Sequence, residues 1–113
     1  MQRWIAEVET NCADPNKEKE FNEWYDKIHI HDMLEVSGVL RATRCEVVNP
    51  TQGQPKFMTI YEAETDDFNQ TMVAVGEQMK RITEAGRMSD LCIIAGIRMY
   101  KQIRPPVEKK KKK

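Results

Sequence analysis

The sequence predicts an α+β domain of order βαββαβ, a four-stranded antiparallel sheet with two helices on one of its faces. Two amphipathic stretches at helical spacing, around Phe21 and around Met72, each lie between segments that alternate apolar and polar residues. A short polar link joins the two middle strand segments, which suits an antiparallel hairpin. At 113 residues, with no internal repeat and no linker, the chain fits a single domain.

Each element follows from local signals. Arg3 to Glu9 alternates loosely, with Trp4, Ala6 and Val8 on one face, and reads as a strand. Asn11 to Pro15 is a turn that also starts a helix: Asp14 can cap it, and Pro15 suits the first helical position. In that helix Phe21, Trp24, Tyr25 and Ile28 keep the i, i+3, i+4, i+7 spacing of a buried stripe, and the pattern ends before Gly38. Val39 to Val48 is the second strand, closed by the turn Asn49-Pro50-Thr51-Gln52-Gly53, and Phe57 to Glu62 is the third. Thr65, Asp66 and Asp67 supply caps for a second helix with a core-facing stripe of Phe68, Met72, Val75, Met79, Ile82 and Gly86. Met72, Met79 and Met88 read as helix packing. Cys92 to Ile103 is the fourth strand. The ordered domain is expected over residues 1–104, with a disordered Pro- and Lys-rich tail over 105–113.

This order, with helices long enough to cross a sheet, is that of the split βαβ or ferredoxin-like sandwich. Its helices cover one sheet face, yet the strands carry apolar groups on both. Met58 and Ile60 oppose Phe57 and Tyr61, and Ile94 is expected to oppose Ile93 and Ile97. Leaving a few hundred Å² of apolar sheet in water would forfeit several kcal/mol at about 25 cal/mol per Å². A twofold homodimer is the simplest cover.

Composition narrows the function. The formal charge of +0 is a balance of two parts: five of the 18 basic side chains are the run Lys109–Lys113, which leaves 13 against 18 acidic groups in residues 1–108. An acidic body argues against nucleic-acid binding, which needs clustered Lys and Arg. Nothing approaches the roughly 18 consecutive apolar residues of a membrane span. No signal-peptide pattern is read at the N-terminus. Cys12, Cys45 and Cys92 are odd in number, widely spaced and without a CxxC, so a reducing, cytoplasmic setting is expected. No phosphate loop, nucleophile elbow or dinucleotide fingerprint is present, so no nucleotide cofactor is expected.

The segment FNEWYDKIHIHDMLEVSGVLRATR resembles the helix-to-strand segment of the dimeric α+β barrel superfamily, particularly its EthD-like small proteins. Phe21, Trp24, Tyr25, Asp26, His29, Asp32, Leu34, Gly38, Arg41 and Arg44 occupy the matching places. His31 and Ser37 stand where that pattern carries proline. The resemblance implies a homodimer whose facing sheets form a barrel, with a small-molecule pocket between sheet and helices. It leaves the activity open among cyclases, isomerases, cofactor-free monooxygenases and haem enzymes, because one scaffold carries many chemistries.

Within that frame His29 is the candidate general base, since imidazole titrates near neutral pH. Asp26 and Asp32 each lie three residues away and are candidates to orient its ring; Tyr25 or Tyr61 could donate a hydrogen bond to a developing oxyanion. Trp4, Trp24, His31, Phe57 and Tyr61 are candidate substrate-binding residues, with an aromatic core as the alternative for the large ones. His29 and His31 point apart on a helix, so no metal is expected. Arg41 and Arg44 fall on opposite faces of one strand, and ion pairs are expected for each. The chemistry expected is cofactor-free acid–base catalysis on a cyclic or aromatic ketone, enol or lactone. The alternatives are a non-catalytic ligand-binding or accessory protein and a cofactor-free or haem-dependent monooxygenase.

Overall fold

The computed structural model describes residues 1–111; Lys112 and Lys113, part of the expected tail, lie outside the described residues. Strands β1 (Gln2–Cys12), β2 (Val39–Glu46), β3 (Phe57–Thr65) and β4 (Cys92–Lys101) form one antiparallel sheet in the order β2-β3-β1-β4. Helix α1 fills the β1–β2 crossover over residues 18–34, and helix α2 (Phe68–Glu84) fills the β3–β4 crossover. This is the ferredoxin-like α+β arrangement. Among the described residues, no helix is long and apolar enough to cross a membrane.

The helix starts form where local chemistry places them. Asp14 accepts a hydrogen bond from the Asn16 amide and opens a short 3-10 turn, Pro15–Lys17, that leads into α1. Asp67 accepts from the Gln70 amide at the head of α2. Gly86 is not part of the α2 stripe. The helix ends at Glu84, and Gly86 takes the left-handed conformation (φ +72°) that closes a helix C-terminus.

Inside α1 the backbone departs from α-helical spacing. Residues Tyr25–His29 form a π turn between Glu18–Trp24 and Ile30–Leu34, closed by the Ile30 amide donating to the Tyr25 carbonyl. The wider turn rotates the C-terminal part of the helix about its axis. His29 is buried beside Phe21 and Tyr25, and Ile28, expected at the centre of the stripe, is half-buried.

Strand register sorts the two sheet faces. Trp4, Ala6, Val8 and Thr10 of β1 lie beside Ala63, Tyr61, Thr59 and Phe57 of β3 on the helix side. Phe21, Tyr25 and Phe57 form the core cluster there, with Cys12, Trp24, Leu91 and Cys92 packed against it. The β1–β4 register shifts between Glu9 and Thr10: Glu9 faces Gly96, Thr10 faces Ile94, and Ala95 is the extra residue of a β-bulge. The bulge resets the alternation, so Ile94 and Ile97 share the helix side instead of opposing each other. The uncovered face therefore carries Ile5, Met58, Ile60, Ile93 and Tyr100 among cross-strand polar pairs. Arg3 meets Glu64 at 2.8 Å, Arg41 pairs with Glu62, and the Tyr100 hydroxyl donates to Glu7 at 2.7 Å.

Candidate functional site

The second half of α1, the inner face of β1 and β3, and α2 enclose a cavity of about 180 Å³. Trp4, Ala6 and Val8 form its floor with Tyr61 and Ala63, and Met33, Met72, Val75 and Met79 form its helical walls. Its mouth lies along β4, where the lining residues Ile94, Ile97 and Met99 are also exposed. No charged side chain lines it; the polar ones are Tyr25, His29, Tyr61, Thr65 and Thr71.

His29 reaches this cavity because of the π turn. Its ring is 6 % exposed, stacks on Trp24 (centroids 4.9 Å apart, planes at 21°) and meets the Tyr25 ring edge-on at 5.0 Å. Burial lowers its pKa below the ordinary 6.5, against the opposing pull of the Asp32 carboxylate, so the imidazole is neutral at neutral pH. Its Nδ1 is buried and has no partner within the described chain.

The Tyr61 hydroxyl and the Trp4 indole Nε1 are likewise buried and complete no hydrogen bond of good geometry. Burial raises the phenol pKa values of both Tyr25 and Tyr61, and the second phenol nearby raises that of Tyr61 further. Tyr61 is therefore a protonated donor at any working pH. A hydrogen-bonding group buried without a partner is destabilising, and three of the residues lining one apolar hollow each carry such a group.

Neither aspartate orients the His29 ring, and each has a reason. Asp26 is exposed and accepts from Arg44 at 3.0 Å; the Arg44 guanidinium lies 4.3 Å over the Tyr25 ring. Asp32 is buried but accepts two bonds from Arg87, at 2.7 and 2.9 Å, while its backbone carbonyl accepts from the Gln78 side-chain Nε2 at 2.6 Å. Arginine offers a paired fork of donors that a neutral imidazole cannot match. His31 is exposed, Phe57 belongs to the core cluster, and the Trp24 indole donates to the Arg87 carbonyl at 2.8 Å without lining the cavity. Of the candidates, Trp4, Tyr25, His29 and Tyr61 converge on the cavity.

Sequence reasoning passed over the cavity's helical wall. Met72 and Met79, read as packing, share the stripe of Val75 and look across the hollow to Trp4 and Val8. Flexible thioethers on a helix facing an aromatic floor were the available signal. Among the described residues, no group of three or more His, Cys, Asp or Glu side chains could hold a metal ion.

No family model matches the sequence, and no curated protein matches it. Solved structures match at the level of the fold. A dimeric ferredoxin-like protein from an uncultured marine organism superposes with TM-score 0.64 at 10% identity, over 94% of this chain and 100% of its own. An EthD family protein from Bacillus halodurans gives 0.53 at 17%, over 91% and 100%. The heme-degrader MhuD from Mycobacterium tuberculosis, with two hemes bound in its active site, gives 0.62 at 11%, over 92% and 99%. These structures share the ferredoxin-like α+β fold with this chain.

Proposed function

We propose that this chain, built on the ferredoxin-like fold, is a homodimeric small-molecule enzyme. It takes an uncharged cyclic or aromatic ketone, enol or lactone and acts on it by cofactor-free acid–base catalysis. The observation that carries this reading is the set of three unpartnered buried polar atoms, on Trp4, His29 and Tyr61, around a cavity without charge. A hollow of on the order of 150 Å³ accommodates a benzene ring, so about 180 Å³ with an open mouth suits one or two fused rings.

In this reading a ligand oxygen accepts from Tyr61 and Trp4, and the same donors stabilise the charge that grows on that oxygen when a neighbouring carbon loses a proton. His29, neutral and desolvated, takes the proton. The edge-on Tyr25 and stacked Trp24 hold the ring in place of a carboxylate. Cyclisation, isomerisation and lyase reactions all begin with such an enolate.

1-Tetralone is a suitable probe, because proton exchange beside its carbonyl can be followed by NMR in deuterium oxide. The protein is expected to accelerate that exchange, and His29→Ala to lower the acceleration by about 10²- to 10⁴-fold. A tetralone carrying a carboxylate is expected not to bind. Acceleration that survives His29→Ala within about twofold would remove the base from the proposal.

Likeness to a heme-degrader supports a second, oxidative reading. Titration with haemin distinguishes it, since a bound haem gives a shifted Soret band.

A further inference from the structure

Cys12 ends β1, Cys92 begins β4, and the two are direct partners in the antiparallel ladder. The Ala13 amide donates to the Leu91 carbonyl at 2.7 Å, one residue beyond them on either strand. A bond in that position marks Cys12 and Cys92 as a non-hydrogen-bonded pair. In such pairs the α-carbons are about 4.5 Å apart and the side chains stand closest. That spacing falls inside the roughly 4.4–6.8 Å window that a disulfide spans. Both thiols are free, both are half-buried, and both pack against the Phe21–Tyr25–Phe57 cluster.

We infer that Cys12 and Cys92 are a reversible dithiol–disulfide couple, a modification site closed by low-molecular-weight disulfides such as glutathione disulfide. The Cys12 thiolate attacks one sulfur of glutathione disulfide and expels one glutathione thiolate. Deprotonated Cys92 then attacks the Cys12 sulfur of the mixed disulfide and expels the second. Two electrons pass from the cysteine pair to the oxidant, and the two thiol protons end on the two released glutathiones. Burial raises the pKa of the Cys92 thiol, which suits it to the second, intramolecular step, where its partner sulfur is already held beside it.

The bridge has local consequences. Cys12 Sγ now donates to the Asp14 carbonyl at 3.1 Å, and closing the bridge ends that contact at the turn into α1. Edge strand β4 becomes covalently fixed to central strand β1. The ionisable thiol of Cys92, which acts electrostatically on Tyr25 and Tyr61, is removed from their neighbourhood.

Cys45→Ser isolates the pair, because Cys45 is exposed on the opposite sheet face. The full-length variant is equilibrated with excess glutathione disulfide, quenched in acid, and read by intact mass and peptide mapping. The expected result is loss of two hydrogens in mass with no glutathione retained, a non-reduced peptide joining Cys12 to Cys92, and recovery of both thiols in dithiothreitol. Two thiols still open to alkylation, a glutathione on each cysteine, or a bridge between two chains would each overturn the assignment.

Discussion

At the scale of single residues, the site is defined by which groups are already engaged. Asp32 is committed to Arg87 and has almost no contact with solvent. Asp32→Asn keeps the shape but loses the charge that the fork recognises, and is expected to lower unfolding free energy by about 1–3 kcal/mol, read by urea denaturation. It should leave proton exchange in 1-tetralone largely intact, because Asp32 makes no hydrogen bond to His29. His29 supplies a pH signature. Its folded pKa lies below the unfolded value of 6.5, so the unfolded chain takes a proton more readily. Stability is then complete above pH 6.5 and falls as pH drops through the folded value. Denaturation midpoints across that window should slope for the native chain and flatten for His29→Leu, and the imidazole NMR titration should centre below 6.5. The sequence marked His29 by residue type and helix position, and Tyr61 by residue type on a strand. It could not show that Arg44 and Arg87, far along the chain, take the two aspartates. Only the tertiary fold brings those partners within hydrogen-bond reach.

At the scale of elements, strand and helix order was legible because hydrophobic period and turn residues agree throughout. The extra residues were not. A π turn and a β-bulge each insert one position, and which segment absorbs it depends on packing that no short window contains. Both decide the site: the π turn brings His29 inward, and the bulge at Ala95 turns Ile94 to the helix side with Ile97. Turn glycines allow a ranked prediction. Gly86 is left-handed with open space around the missing Cβ, so Gly86→Ala should cost about 1 kcal/mol from backbone preference alone. Gly38, at φ +93°, would also press a Cβ to 3.1 Å from the Glu64 carbonyl, whose residue donates its amide to the Gly38 carbonyl at 2.8 Å. Gly38→Ala should therefore lower the thermal midpoint further than Gly86→Ala. The reverse order would mean that this junction between α1 and β2 yields more easily than its geometry implies.

At the scale of the whole molecule, the uncovered sheet face is mixed. Ile5, Met58 and Ile60 lie among Glu7, Glu9, Glu62 and Arg41, with several of the charges already paired across strands. Such a face suits an interface with an apolar centre and a polar rim. Sedimentation should give twice the chain mass, and Ile60→Asp, at the centre of the face, should raise the dissociation constant by on the order of tenfold or more. A single-chain mass for the native protein at micromolar concentration would withdraw the dimer. The apolar exposure on β4 raises a separate question. An outermost strand with three isoleucines open to water (Ile97 is 57 % exposed) is a template on which stray chains can add and grow into aggregates. The extra residue at Ala95 bends and twists the strand midway, so its free edge is not a flat template. The kink that places Ile94 at the mouth of the pocket thus also works against the addition of a further strand along this sticky rim.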